Sequence, residues 1–193
     1  QLSALAITDH DTVGAIAQAL EEAQGTGLEI IPGIELTSQQ DNKEIHILGY
    51  FLDYQQQGLL DKLQLVQQNR ISRVYKIVEN LKELGVKLNA QTVFNISGQG
   101  TVGRMHIARA LLLDGWVNST AEAFRKYLGD NSPAYVCGFR FSPREAIKLI
   151  KDAGGVAVLA HPYMLDNDDA LITEFVSYGL QCLEVYYHEH SQS

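Results

Sequence analysis

Four side chains of the kinds that bind metal ions or move protons interrupt four apolar runs. His10 follows "LSALAIT", Glu35 follows "EIIPG", His46 sits inside "EIHILGYF", and His161 follows "VAVLA". Each such group, if buried, costs on the order of a few kcal/mol unless something compensates it. A divalent cation compensates all four together, and imidazoles with carboxylates suit Zn, Mn or Fe. The two oxygens of Glu35 can bridge two ions, the arrangement with which two-metal hydrolases hold a nucleophile and a phosphoryl oxygen. Taken singly, each residue has a plainer reading: a lone strand histidine is most often a satisfied core residue, and Glu35 serves equally as a cap or an ion-pair partner.

The segment Thr8-Asp9-His10-Asp11 crowds four polar groups between an apolar run and a helical pattern. A helix start needs only one capping residue there, and Asp11 or Thr12 supplies it. Asp9 and His10 are then surplus to folding. Neighbouring strand residues point to opposite faces, so His10 is the expected ligand and Asp9 the group that supports it.

Positioning these residues requires strands, and apolar runs predict them at 2–8, 28–32, 44–51, 156–160 and 183–187. Ile16, Ala19, Leu20 and Ala23 share one face of a helix over 13–25, which makes the first two runs a βαβ unit. Continuous apolar character predicts strands buried on both faces of a parallel sheet, with the site at the carboxyl edge. Between 53 and 135 no strand is evident. Ile71, Val74, Ile77, Val78, Leu81 and Leu84 form a helical stripe ending at Gly85, and further helices are expected over 103–114 and 119–128, the latter opened by a Ser119/Glu122 capping box. Ser142-Pro143-Arg144-Glu145 then starts another helix with Ser at N-cap and Pro at N1. Residues 1–52 and 136–193 therefore read as an α/β frame, and 53–135 as an inserted helical subdomain.

The 193 residues are 46% hydrophobic and 20% charged, with net charge −8 and pI near 5.2, values of an ordinary globular protein. That acidity argues against a broad basic face for long nucleic acid, though not against a short anionic substrate beside a bound metal. Cys137 and Cys182 make no disulfide framework and are expected to be small buried hydrophobes of a reducing compartment. Neither a membrane-length apolar run nor a signal-like start is present, so a cytoplasmic protein with no membrane partner is expected. The sequence begins at Gln1 within one apparent strand and stops just past another, as part of a longer protein would.

The ordered motifs "ITDHDT", "PGIE", "IHILGYF", "GRMHIARAL" and "AGGVAVLAHP" resemble the PHP (polymerase and histidinol phosphatase) family. More narrowly they resemble its bacterial branch acting on nucleoside 3',5'-bisphosphates and the 5' ends of short oligonucleotides. The resemblance implies a distorted (β/α)7 TIM-like barrel, incomplete here, with up to three metals (Mn, Fe or Zn). It places the ligands on His10, Glu35, His46 and His161, beside which Asp9 keeps the catalytic supporting role that strand alternation gives it. "GRMHIA", with Met105 where the branch has Pro, makes Arg104 and His106 candidates to grip a substrate phosphate and take part in catalysis. His188 and His190 follow the last strand, and His190 is a further substrate-side candidate. The family's opening His-x-His and closing Asp-x-His motifs do not occur in the chain. The activity implied is hydrolysis of a phosphate monoester or terminal phosphodiester of a small nucleotide by metal-activated water. A histidinol-phosphatase-like phosphomonoesterase and a catalytically incomplete metal-binding or structural module stand as alternatives.

Overall fold

The computed structural model describes residues 2–41, 43–98, 100–165 and 169–187, so His188 and His190 lie outside the described residues. The chain divides into two compact units, residues 1–63 with 140–193 and residues 64–139.

The first unit is built on five strands, β1 (Ala4–Ile7), β2 (Glu29–Gln40), β3 (Lys43–Tyr50), β4 (Val156–Leu159) and β5 (Cys182–Leu183), which neighbour one another in chain order. The sheet is mixed and, among the described residues, open. β1 with β2 and β4 with β5 are parallel, whereas β3 runs antiparallel to both β2 and β4. This corrects the expected all-parallel sheet, and the cause is local. β2 does not stop at Pro32 but continues to Gln40, and Gln40 pairs with Lys43 across two residues. So short a connection permits only a hairpin, because a parallel neighbour needs a crossover of a dozen residues or more.

Pro32 marks a change of partner rather than an end. Pairing with β1 finishes at Ile7↔Pro32, and pairing with β3 begins at Gly33↔Tyr50. A Cβ at Gly33 would lie 2.8 Å from the Gly49 carbonyl oxygen and 2.9 Å from Thr8 Cγ2, so only glycine allows both neighbours to close on β2 here. Glu35 is consequently inside a strand, not beyond its end.

Alternation divides the sheet into two faces. Ile34, Leu36, Ile45, Ile47, Ala157 and Leu159 are buried on the face covered by α6 (Pro143–Asp152), where Gly49 leaves room for Ile150. Leu48, Val158 and Ala160, with Tyr50 and Val156 against them, form a cluster on the opposite face, which Glu35 and His46 share. α6 opens with the expected capping box: Ser142 Oγ accepts from Glu145 N, and the Glu145 carboxylate accepts from Ser142 N. α7 (Asp169–Tyr178) buries Phe175.

The expected cap of the first helix is not made. α1 (Ile16–Glu22) has Ala15 at its N-cap with no side-chain bond, and Thr12 Oγ1 instead accepts from Gly14 N. Asp11 turns inward, 1% exposed at φ 53°, and ties the segment to β2: Oδ1 accepts from Thr37 N at 2.9 Å, Oδ2 from Thr37 Oγ1 at 3.0 Å. Two bonds to a buried strand outweigh one cap, which leaves the helix to start later. Cys137 and Cys182 are free thiols but both exposed, against expectation, the first in an irregular segment and the second on the edge strand β5.

The second unit is helical: most of α2 (Gln57–Glu83), then α3 (Ala90–Ser97), α4 (Arg104–Leu113) and α5 (Thr120–Ala123), the last running into a π-helical turn, Phe124–Leu128. Its core gathers Val74, Ile77, Leu81, Val93, Ile107, Leu111 and Leu128. Of the predicted stripe, only its ends Ile71 and Leu84 face solvent. Ser119 caps α5 as expected, while the Glu122 carboxylate accepts from Asn118 N instead of closing the box. Among the described residues no helix is long and apolar enough to cross a membrane.

Replacing Asp11 by Ala strands the Thr37 donors in the interior and is expected to destabilise the protein by roughly 1–3 kcal/mol. Asn, which tolerates φ > 0 and can still accept from Thr37 N, should cost less. Urea denaturation of Asp11→Ala and Asp11→Asn against the parent measures both.

Candidate functional site

Backbone pairing brings three of the interrupting residues together. The Thr37↔His46 register sets His46 diagonally across from Glu35 on one face of the sheet. His10 reaches the same place because the chain continues alongside β2 past the end of β1: Glu35 N donates to the Asp9 carbonyl, Asp11 N donates to the Glu35 carbonyl, and His10 and Glu35 form an isolated parallel bridge. His161 follows β4, whose neighbour β3 presents His46, and Ala160 N donates to the His46 carbonyl. Because β3 is antiparallel, its beginning lies at the same edge as the ends of β2 and β4. His46 therefore joins this rim by the hairpin and not by a crossover.

The donor atoms converge around the Glu35 carboxylate. Oε1 is 2.9 Å from His46 Nδ1 and 3.5 Å from His161 Nε2, and those two nitrogens are 3.0 Å apart. Tetrahedral zinc with bonds near 2.0–2.1 Å has donor–donor edges of about 3.3 Å, so this triangle has the spacing of a face of such a site. Oε2 faces the other way, 3.5 Å from His10 Nε2. Each oxygen of one carboxylate thus addresses a different imidazole, the disposition of a bridging ligand. His10, Glu35 and His46 alone supply three donors within 4.8 Å of one another. The group lines a cavity of about 340 Å³ that also takes in Tyr50, Glu184 and Tyr187.

Electrostatics bind the cluster to itself. Burial works against ionisation of Glu35, but its hydrogen bond with His46 and the fields of His10, His46 and His161 prevail and hold the carboxyl below its ordinary range. Burial likewise disfavours charge on His46, yet hydrogen bonds with Glu35 and with Glu44, whose Oε1 lies 3.2 Å from Nε2, push its pKa up to about 9. Glu44 itself is lowered to about 2, first by that hydrogen bond and, against its own burial, by Arg140 at 2.9 Å. His161 adopts φ 32°, a left-handed conformation costly for a side chain of this size, and its N–H is held by the Glu184 carboxylate at 2.6 Å.

Of the residues the sequence singled out, the structure gathers His10, Glu35, His46 and His161. Asp9 is exposed, and its main chain rather than its carboxylate engages Glu35. Arg104 and His106 belong to the helical unit. Arg104 is mostly covered, pairs with Asp130 at 2.6 Å, donates to the Leu128 carbonyl and lies over the Tyr135 ring. His106 Nδ1 accepts from Gly103 N, so its neutral ring carries the proton on Nε2. Burial, Arg109 and Arg70 keep its pKa low. Sequence reading passed over Glu44, Tyr50 and Glu184. Glu44 carried a signal, since a residue two before His46 on a strand shares its face, and Glu184 carried another as a carboxylate interrupting the apolar run 183–187.

No family model matches the chain. It is 37% identical over 164 residues to the 5'-3' exoribonuclease Rnm of Escherichia coli, an alignment covering 84% of this chain and 56% of that protein. Against the 3',5'-nucleoside bisphosphate phosphatase of Chromobacterium violaceum it is 31% identical over 192 residues, 97% of this chain and 67% of the relative. A Bifidobacterium adolescentis structure described as a candidate metal-dependent phosphoesterase superimposes with a TM-score of 0.86 at 28% identity, over 99% of this chain and 69% of the other.

The cluster predicts how stability of the metal-free protein varies with pH. His46, raised from 6.5 to about 9, contributes stability that is complete below about pH 6.5 and lost as pH rises through about 9. Glu44, lowered from 4.5 to about 2, contributes stability present above about pH 4.5 and lost as pH falls through about 2. Thermal melts in EDTA should therefore peak between about pH 4.5 and 6.5, and His46→Gln should flatten the alkaline limb.

Proposed function

The chain belongs to the PHP family, and on that footing we propose that it is a metal-dependent phosphoesterase releasing phosphate from, or cleaving a terminal phosphodiester of, a nucleoside 3',5'-bisphosphate or a short oligonucleotide 5' end. The observation that carries this reading is the convergence of three imidazoles and one two-faced carboxylate on a single cavity. Relatives named for an exoribonuclease and a nucleotide phosphatase support the substrate class.

His10, Glu35, His46 and His161 are the proposed ligands of a divalent cation, Mn, Fe or Zn, with up to three ions in a complete site. Such ions, when bound, lower the pKa of water and neutralise charge on phosphoryl and leaving oxygens. Glu35 stays ionised and offers one oxygen to each side. Glu184 holds the strained His161 backbone in place, so the ring is aimed before any ligand arrives. Tyr50 lines the same cavity, and its hydroxyl, pushed up by burial and by the charges of Glu184 and Glu35, is available as a hydrogen-bond donor there. Asp9 supports the cluster through its carbonyl, which accepts from Glu35 N beside His10.

Arg104 and His106 are the proposed phosphate grips. Residues 64–139 carry nine Lys and Arg against five Asp and Glu, net +4, whereas the rest of the chain is net −12. An anionic substrate is thus drawn to the helical unit, which suits the reading of 53–135 as a substrate-side insertion in a frame of 1–52 and 136–193. His190 remains a substrate-side candidate. The five-stranded sheet belongs, on the same reading, to a distorted (β/α)7 barrel: Leu5 on β1 and Leu183 on β5 leave apolar surface at both open edges. A cytoplasmic setting fits two free, exposed thiols.

Purified protein with added Mn is expected to release phosphate from adenosine 3',5'-bisphosphate faster than from histidinol phosphate. No release from the bisphosphate and none from 5'-phosphorylated short RNA would remove the assignment. Glu35→Gln and His161→Ala should each lower kcat/KM by at least about 100-fold, the upper end of what loss of a mere supporting group costs. Arg104→Ala should act mainly on binding, raising KM for the bisphosphate by roughly 10- to 100-fold, as loss of a hydrogen bond to a charged group does.

A further inference from the structure

We propose that Glu44 and Arg140 are positioning residues: a carboxylate held by a guanidinium that fixes the His46 ring so that Nδ1 faces the cavity, where a cation would displace its proton. The inference rests on His46 being a metal ligand, as proposed above.

An imidazole has two nitrogens and can turn either toward an ion, and a hydrogen-bond acceptor at one nitrogen decides which. His46 Nδ1 points at Glu35 Oε1 and His161 Nε2, 2.9 and 3.0 Å away. Nε2, on the opposite side of the ring, meets Glu44 Oε1 at 3.2 Å. A carboxylate there holds the Nε2 proton, so the proton a cation would displace is the one on Nδ1, the nitrogen on the cavity side. Glu44 is on the far side of the ring from Glu35, so it is not a further ligand to the same ion.

Glu44 alone would orient little. Its side chain is half exposed, and a carboxylate on a strand end samples solvent-facing rotamers freely. Arg140 removes that freedom, donating from Nη2 to Glu44 Oε2 at 2.9 Å while its own side chain is only 16% exposed. The backbone beside it is also fixed, since Phe141 bridges Ser38 and its carbonyl accepts from Gln39 N at 2.8 Å. An ion pair of this exposure adds little to stability by itself. Its consequence lies in the ring it steadies.

The test is Zn and Mn affinity, measured by competition with a chelating dye, alongside melting temperature, for the parent protein and for Glu44→Ala, Glu44→Gln, Arg140→Ala, His46→Ala and the Glu44→Ala/His46→Ala double variant. Glu44→Ala should weaken metal binding by about 10- to 100-fold, with Glu44→Gln, which keeps an acceptor oxygen, restoring part of it and Arg140→Ala falling between. In the His46→Ala background, Glu44→Ala should cause no further loss. Parent-like affinity in Glu44→Ala and Arg140→Ala, while His46→Ala loses binding, overturns the positioning role and leaves the metal site standing. Affinity lost equally with and without His46 also overturns it, since Glu44 then acts by another route. Parent-like affinity in His46→Ala, or none in the parent, refutes the metal assignment instead.

Discussion

Glu35 occupies a strand position facing the cavity side of the sheet, opposite Leu48, where an aliphatic side chain would pack without cost. A carboxylate there is tolerable only if positive charge or hydrogen-bond donors surround it, and three imidazoles do so. That requirement fixes much else. β2 must pass β1 to reach β3, the hairpin must hold the Thr37↔His46 register, and the "TDHD" segment must lie flat along β2. A slip of one residue between β2 and β3 would turn His46 to the α6 face and empty the site.

The supports of the cluster are distributed according to what each ligand lacks. His161 needs its backbone held in a left-handed conformation, and Glu184 takes its N–H. His46 needs its ring held, and Glu44 with Arg140 takes its far nitrogen. The segment bearing His10 needs an anchor, and Asp11 supplies it by bonding twice to Thr37 from a buried position. Three carboxylates thus act on three histidine-bearing stretches, each through a contact other than the Glu35 carboxylate. The helical unit differs in charge, net +4 by its Lys, Arg, Asp and Glu against net −12 for the rest of the chain.

Much of the architecture was legible along the chain. The Ser142-Pro143-Arg144-Glu145 cap, the strand at Val156, the helical character of the middle segment and Gly85 as a helix stop follow from rules that act within a few residues, and the structure has them where local chemistry puts them. Local rules failed where a distant partner offered more. Asp11 could cap a helix or bind Thr37 twenty-six residues away, and the buried pair of bonds won. Pro32 looked like a strand end because it lacks an N–H, but Gly33 beside it let β3 take over from β1. Cys182 lies on an edge strand, where a small apolar residue need not be buried.

The amino-acid types decided on their own that His10, Glu35, His46 and His161 were out of place as packing residues, because each interrupts an apolar run that folding would rather leave whole. Which of them meet, and at what angle, was decided only by strand direction and register, properties of pairs of segments and not of either segment. Arg140 became visible only then, and the faint sequence signals of Glu44 and Glu184 acquired a meaning only then, since a side chain that acts by holding another has no assignable role until its partner stands beside it.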